Sequence, residues 1–566
     1  MKRGFYMDLK ALFAQILEAI LEGNLNYQQV YNLIEVPKKT ELGDLAFPCF
    51  QLAKIEKKPP AQIAEEIATR LSNPVLSKIS AMGSYVNVSF CSKNIGVNIL
   101  TSILEEGDSY GESCVGKGKT VVLDMSSPNI ARPFSMGHLR STVIGNALSN
   151  IAGKCGYKTV KINHLGDWGT QFGKLIVAYK KWGERKKVEL NPIEELRSLY
   201  VKFHEEAEQE PELNEEGRAA FKELEQGNLE YLTLWNWFRE ESLKAFHVIY
   251  DLLGISFDSY NGEAFFNEKM GNIVKLLEDQ GLLEKSDGAL VVPLENGLPP
   301  CLIRKTDGAT LYATRDLAAA LYRKQEYNFD EMLYIVGQEQ TVHFKQISEV
   351  LKKLQFEWAS SITHIPFGLY LKNGKRMSTR KGKVVLLGDV LKEAIDLAAA
   401  NILEKNPNLS NSMQVAKEVG VGAVIFHDLK SDRLNSIEFS LKDMLTFEGE
   451  TGPYIQYTHA RAHSILRKRK ETVYCFSGLN DQESWEIIKI LNEFPNVIEK
   501  SYASYSPAVL AKYLFELCKA FNKYYGKVRI IEENEDLLSR LALVKAVAGI
   551  LAEGLRLLGI GAPEEM

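Results

Sequence analysis

Cysteine is sparse in this sequence: seven residues, at 49, 91, 114, 155, 301, 475 and 518, with no C-x-x-C pair, which argues against both a zinc ribbon and a disulfide framework. No apolar run reaches the length of a membrane span. Asp8, Lys10 and Glu18 interrupt the apolar positions behind the N-terminus, so no signal-peptide core is read there and the cytoplasm is the expected location. Neither sign of charge dominates, and a net charge of −5 provides no global attraction to nucleic acid. Internal repeats and low-complexity segments are missing from the 566 residues, a length that calls for three or four domains. A P-loop is missing too. Gly111 to Lys117 has its spacing, but Gly118 stands where Ser or Thr should hold Mg²⁺, and the run precedes a strand instead of following one. His459 and His463 have a metal-ligand spacing without the Glu of a zincin and with Arg461 between them, so no protein-bound metal is expected.

What is present is patterned. Residues 8–22 and 58–71 read as amphipathic helices and 84–90 alternates like a strand, giving an N-terminal α+β domain over 1–115. Strands at 120–125 and 158–162, with further strands near 289–292 and 331–336, predict a Rossmann-like parallel-sheet core over 119–395, with a charged helical insertion at about 185–255. A helical connector is expected over 396–440. Helices at 412–430, 441–470, 481–503, 507–526 and 535–558 make the C-terminal part, 441–566, an all-α bundle. The fold class is therefore multidomain α/β plus all-α. Two basic clusters, 372–383 and 461–470, stand out in an acidic chain as selected surfaces for anionic ligands.

Pro128 to His138 lies between the strand at 120–125 and a helical pattern over Gly137–Ala152. This order aims backbone N–H groups and the positive end of a helix dipole at whatever lies above the strand's carboxyl end. His138 can donate to a phosphate oxygen and Arg132 can add a permanent cation. An ordinary helix start with a packed histidine is the bland alternative.

Ser135-Met136-Gly137-His138 resembles the HxGH signature of class I aminoacyl-tRNA synthetases, and Ser126 to Ile144 resembles its form in the arginyl-tRNA synthetases. Ser135 replaces the first His of that signature, and Arg132 replaces the usual Lys three residues earlier. Lys375 to Lys381 resembles the KMSKS loop, with Arg376 and Thr379 in place of its two Lys. The resemblance implies catalytic roles for Arg132, Ser135, His138, Arg376, Arg380 and Lys381. It implies ATP contacts by Pro128, Phe134, Gly137, His138, Met377 and Ser378. Segments at 260–263, 311–316 and 337–343 resemble those lining the family's arginine pocket, which implies Glu263 and Asp316 on the guanidinium, Tyr312 and Gln340 on the substrate, and Asn129 on its α-amino or carboxylate end. The segment 450–461 resembles the entry to an anticodon-binding domain and assigns Tyr454, Gln456, Tyr457 and Arg461 to tRNA. Gly43 to Pro48 resembles the family's additional domain, which implies contact with the outer corner of tRNA. The implied substrates are L-arginine, ATP as its Mg²⁺ complex, and tRNA(Arg), handled by a monomer without a membrane.

Two rivals remain on the sequence. A nucleotidyltransferase sharing the HxGH site predicts no tRNA-binding domain. A tRNA-binding paralogue with weak catalysis is motivated by Arg132, Ser135 and Thr379 together.

Overall fold

The computed structural model describes residues 6–566 except 296, 307–311, 378–384 and 470–477. Ser378, Thr379, Arg380, Lys381 and Cys475 therefore lie outside the described residues.

The N-terminal region opens with two helices, α1 (Leu9–Ile20) and α2 (Tyr27–Leu33), each started by a side-chain cap. Asp8 Oδ1 accepts from Ala11 N at 2.8 Å, and Asn26 and Gln29 form a reciprocal capping box. Strand β1 (Leu45–Pro48), helices α3 (Phe50–Glu56) and α4 (Pro60–Arg70), and strands β2 (Leu76–Met82) and β3 (Tyr85–Phe90) follow, forming an antiparallel sheet of order β1-β3-β2. Helix α5 (Ser92–Glu106) leaves this sheet and packs on the C-terminal bundle, where a Cβ on Gly96 would stand 3.2 Å from Ile488 Cδ1. The segment at 43–48 is turned toward the bundle as well. Asp44 accepts from Trp485 Nε1 at 3.0 Å and Lys489 Nζ at 2.6 Å.

The central region is built on strand β4 (Thr120–Asp124), helix α6 (Met136–Lys154), strand β5 (Lys158–Ile162) and helix α7 (Thr170–Trp182). Helices α8 (Arg185–Leu190), α9 (Pro192–Gln209), α10 (Glu212–Glu225) and α11 (Leu229–Leu253) form the insertion. Next come α12 (Met270–Asp279) and a small antiparallel sheet, β6 (Glu284–Ser286), β7 (Ala289–Val292) and β8 (Cys301–Arg304), which the sequence reading had only in part. Helix α13 (Tyr312–Tyr327), strand β9 (Glu331–Gly337), helix α14 (Thr341–Lys353) and strand β10 (Ile362–Phe367) complete the core.

The main sheet has the order β10-β9-β4-β5, and every pairing in it is parallel. Its two central strands, β4 and β9, are buried on both faces, as in a sheet covered by helices. From β4 the chain winds outward to β5 on one side and continues through β9 and β10 on the other. The switch point thus lies between β4 and β9, and ligands of such sheets bind at the carboxyl ends beside it.

Strands β11 (Tyr370–Lys372), β12 (Lys375–Arg376) and β13 (Ile437–Glu438) make a third small sheet, with helices α15 (Leu387–Lys405) and α16 (Ser412–Leu429) between the last two. The bundle consists of α17 (Leu441–Met444), α18 (Gly452–Arg467), α19 (Gln482–Asn492), α20 (Phe494–Ala503), α21 (Pro507–Lys527) and α22 (Leu537–Leu557). Two predicted helices are each broken in two. The expected 441–470 helix stops at Met444 and restarts at Gly452, where Thr451 caps Tyr454 N at 3.2 Å and Pro453 sits in the first turn. The expected 481–503 helix is interrupted before Phe494, with Pro495 again in the first turn of the new helix.

Candidate active site

The loop from β4 to α6 runs over the switch point in a strained path. Ser126, Ser127 and Ala131 all have left-handed backbones, at φ 72°, 52° and 56°. Such conformations cost non-glycine residues roughly 1–3 kcal/mol each and persist where the surroundings over-determine them. Here Ser126 N donates to Ser141 Oγ at 2.9 Å, Ala131 N donates to Ser242 Oγ at 3.0 Å, and Ser126 Oγ lies 2.8 Å from Tyr250 Oη. Helices α6 and α11 therefore grip the loop from both sides.

Helix α6 begins beyond this loop with Ser135 as its N-cap residue. The Ser135 N–H donates to His138 Nδ1 at 3.2 Å, and Ser135 Oγ lies 3.3 Å from the same nitrogen. An Nδ1 that accepts from a backbone amide carries no proton, so the neutral imidazole has its proton on Nε2. Burial pushes the His138 pKa down to about 4, which makes that neutral form the resting one at physiological pH. Phe134 packs on the His138 ring at 5.2 Å and on Tyr250 at 5.4 Å, fixing its plane. His138 is thus a directed donor at a helix N-terminus. Gly137 is exposed beside it, and a Cβ there would meet only Ser135 Oγ, at 3.4 Å.

The segment that follows the 372–383 basic cluster joins this site directly. Ser135 forms an antiparallel bridge with Leu386, Met136 N donates to Val385 O at 3.2 Å, and Leu387 N donates to Phe134 O at 2.9 Å. On the other side of that segment Met377 N donates to Tyr370 O at 3.1 Å. Beneath both, the buried Arg140 of α6 reaches Asp428 of α16 (Nε to Oδ2 3.3 Å), and Tyr370 Oη donates to the same carboxylate at 2.6 Å. Arg132 is exposed and donates to Gln171 Oε1 at 2.9 Å. Pro128 is buried, with its carbonyl accepting from Gly166 N at 3.1 Å.

A charged cluster adjoins the same crevice. Asn129 bridges to Gly166 in the loop after β5, and a Cβ on Gly166 would fall 1.9 Å from Asn129 Oδ1, so only glycine lets the loops close. Glu263 N donates to Leu165 O at 2.9 Å, bringing Glu263 to that loop. Its carboxylate is 3.4 Å from Arg315 Nη1. Burial pushes the Glu263 pKa up to about 7, with Arg315 pulling it down and Asp167 and Asp316 adding to the rise. Asp316 Oδ2 is 2.6 Å from His343 Nε2. Burial raises that carboxyl, but the His343 hydrogen bond and the charges of His343, His164 and Arg323 together hold it below its ordinary value.

Four members of this cluster, Asp124, Asp167, Arg239 and Arg323, are not among the residues expected from the sequence. Asp124, at the carboxyl end of β4, pairs with the buried Arg323 at 2.7 Å, and Arg323 Nη2 lies 3.3 Å from His164 Nδ1. Asp167 accepts from Arg239 Nε at 3.1 Å and Ala264 N at 2.8 Å. The parallel-strand position of Asp124 and the outgoing loop at 163–169 were available signals; Arg239 and Arg323 had none. Tyr312 is exposed at the start of α13, and Gln340 is exposed after β9.

In the bundle, helix α18 divides the four predicted tRNA contacts. Arg461 stacks between the half-exposed rings of Tyr457 and Tyr525, at 4.9 and 5.0 Å. Tyr454 Oη accepts from Asn522 Nδ2 at 3.0 Å. Gln456 corrects the sequence reading: it is fully buried, and its Nε2 donates to Glu418 O at 3.0 Å and Gly561 O at 2.8 Å, so it ties α18 to α16 and to the C-terminal tail and does not face a nucleotide.

Among the described residues, no helix is long and apolar enough to cross a membrane, and no group of His, Cys, Asp and Glu could hold a metal ion.

Three family models match the chain: the N-terminal domain of arginyl tRNA synthetase at residues 7–90, the catalytic domain of class I (R) tRNA synthetases at 99–441, and the DALR anticodon binding domain at 455–566. Arginine–tRNA ligase 2 of Bacillus anthracis is 58% identical over 562 residues, covering 99% of this chain and 100% of its own. The arginine–tRNA ligase of Enterococcus faecalis is 55% identical over 563 residues, with the same coverage. Among solved structures, arginyl-tRNA synthetase of Thermus thermophilus superposes with a TM-score of 0.80 at 25% identity, over 99% of this chain and 100% of that one.

Proposed function

The chain belongs to the arginyl-tRNA synthetases of class I, and from that premise we propose how its residues divide the work of an arginine–tRNA ligase. The reaction has two steps. The carboxylate of L-arginine attacks the α-phosphorus of ATP, a P–O bond breaks, pyrophosphate leaves and arginyl-adenylate remains. The 2′-hydroxyl of the terminal adenosine of tRNA(Arg) then attacks the adenylate's carbonyl carbon, and AMP departs.

In the first step charge builds on the phosphates, so donors preorganised for them lower the barrier. His138 Nε2–H, at the N-terminus of α6, is placed for this, with Phe134 and Pro128 shaping the nucleotide's seat and Gly137 leaving the helix terminus open. Arg132 adds a permanent cation from the loop. The basic segment with Arg376, Met377, Ser378, Arg380 and Lys381 completes the phosphate side, and ATP enters as its Mg²⁺ complex. Ser135 serves His138, through the histidine's Nδ1, instead of touching phosphate itself.

Glu263 and Asp316 face the substrate guanidinium, Tyr312 and Gln340 flank it, and Asn129 holds the α-amino or carboxylate end. On the bundle, Tyr457 and Arg461 are the members of the predicted set that offer stacking to an unpaired base, with Tyr454 behind them. The enzyme is read as a cytoplasmic monomer whose working divisions are 1–115, 119–395, 396–440 and 441–566.

One observation carries this reading: the α6 N-terminus and the segment following the basic loop are hydrogen-bonded to each other across Ser135 and Leu386. Two segments far apart in sequence thereby meet at the N-terminus of α6. Arginine-dependent ATP–pyrophosphate exchange, measured with and without tRNA(Arg), tests it. Exchange is expected with cognate tRNA present; its absence under that condition sinks the assignment.

A further inference from the structure

The amino-acid side of the crevice holds four carboxylates, Asp124, Asp167, Glu263 and Asp316. Three guanidiniums answer them: Arg323 pairs with Asp124, Arg239 with Asp167 and Arg315 with Glu263. Asp316 faces His343. His164 Nδ1 lies 3.3 Å from Arg323 Nη2, and burial lowers the pKa of its ring. Four carboxylates stand against three guanidiniums, so with Glu263 ionised the described cluster is one cation short, by the charge of a single substrate guanidinium.

We propose that Arg315 is the positioning residue that sets this count: by answering Glu263 it leaves the pocket with a vacancy for one guanidinium and orients the carboxylate that receives it. The inference rests on the assignment of Glu263 and Asp316 to the arginine pocket made above.

Arg315 is suited to the task. It lies on α13 next to Asp316, its Nη1 is 3.4 Å from Glu263 Oε2, its Nη2 donates to Asn267 Oδ1 at 3.4 Å, and its guanidinium sits 5.8 Å from the centre of the Tyr312 ring. Its Nε is buried without a hydrogen-bond partner, so Glu263 is its principal charge partner. Without Arg315, Glu263 would face Asp167 from the loop after β5 and Asp316 from α13, two like charges, in a buried setting that already favours the protonated acid. Arg239 of α11 remains committed to Asp167, and His343 of α14 to Asp316. A protonated Glu263 cannot receive a guanidinium as an ionic partner.

The test is arginine-dependent ATP–pyrophosphate exchange with tRNA(Arg) present, from about pH 6.5 to about pH 8.5, for Arg315→Gln, Arg315→Met, Arg315→Lys and Glu263→Gln. Arg315→Gln is expected to raise the arginine KM about tenfold at the acidic end, the equivalent of one pKa unit on Glu263, and to approach the wild-type KM at the alkaline end. The ATP KM and kcat stay within about twofold, since the phosphate side is untouched. Arg315→Met keeps the stem packed and carries the same expectation should the Gln variant fail to fold; Arg315→Lys restores the charge and stays near wild type. An arginine KM that is unchanged, lowered, or raised equally at all pH values together with the ATP KM overturns the role of Arg315. Glu263→Gln separates the two failures: if it leaves the arginine KM unchanged, the pocket assignment itself is wrong.

Discussion

The nucleotide side and the amino-acid side of this crevice are built by different means. Among the described residues of the first, the α6 terminus offers a neutral imidazole, backbone N–H groups and a helix dipole, with the exposed Arg132 in the preceding loop. The second is crowded with paired charges taken out of water. Polyphosphate is met by donors preorganised at the helix terminus and, in the proposed assignment, by the cations of Arg132 and the basic segment. A guanidinium has to be told from other amino-acid side chains, and the proposed arrangement of carboxylates with one vacancy would do that. The difference predicts that mutations on the two sides fail in different kinetic constants.

The largest effect is expected at His138. His138→Ala should lower the exchange rate by about 10²- to 10³-fold, the usual consequence of deleting a donor aimed at developing charge, with the arginine KM little changed. The His138 pKa of about 4 adds a second expectation. Its charge state does not change between about pH 6 and pH 8, so no ionisation of this residue should appear in kcat over that range. A kcat limb near neutrality that vanishes in His138→Asn would break the comparison.

Glu263→Gln comes next and should act on the other constant. Loss of a charged partner for a guanidinium costs roughly 1.5–3 kcal/mol, so the arginine KM should rise about 10- to 150-fold while kcat at saturation changes far less. In the wild type the same group gives a pH signature. Burial pushes the Glu263 pKa up to about 7, and under the proposed assignment arginine binds its ionised form. Arginine binding must therefore weaken as pH falls through 7, while the ATP KM stays flat. Equal pH dependence of both constants would erase the distinction between the two sides.

Stability supplies an intermediate test. A carboxyl whose folded pKa is raised contributes stability at pH values below its unfolded value near 4.5, and that contribution is lost as pH rises through the folded value. Compared with Glu263→Gln, the wild type should lose ground in thermal midpoint between about pH 4.5 and pH 7. A difference that is constant with pH would mean that Glu263 is not held protonated by its surroundings.

The two sides were also unequally legible. The nucleotide side is contiguous: residues 120–154 contain the strand, the loop and the helix terminus, and their pattern is local, so sequence alone placed His138 and Arg132. The amino-acid side is assembled from β4, the loop after β5, α11, α13 and α14, and its pairs are separated by 27 to 199 residues, as for Asp316–His343 and Asp124–Arg323. No local spacing encodes such partners. Family resemblance supplied Glu263 and Asp316 but not the cations beside them. Gln456 shows the converse error. On α18 it is next to the half-exposed Tyr457, yet one step around a helix is about 100°, enough to turn a predicted nucleotide contact into a buried tie.

Ser135 carries the smallest predicted effect and the sharpest test of the neutral side. It occupies a signature position, so a direct phosphate contact would make its loss as damaging as that of His138. The geometry argues otherwise: its backbone N–H holds His138 Nδ1 at 3.2 Å, and its hydroxyl is a second, longer neighbour of the same nitrogen at 3.3 Å. Ser135→Ala keeps the backbone contact. Removing one neutral hydrogen bond is worth roughly 0.5–1.5 kcal/mol, so the exchange rate should fall by no more than about tenfold, without a change in either KM. A loss matching His138→Ala would place the hydroxyl on the reacting phosphate; a small loss leaves orientation of the imidazole to the peptide backbone, a task that a side-chain substitution at 135 leaves intact.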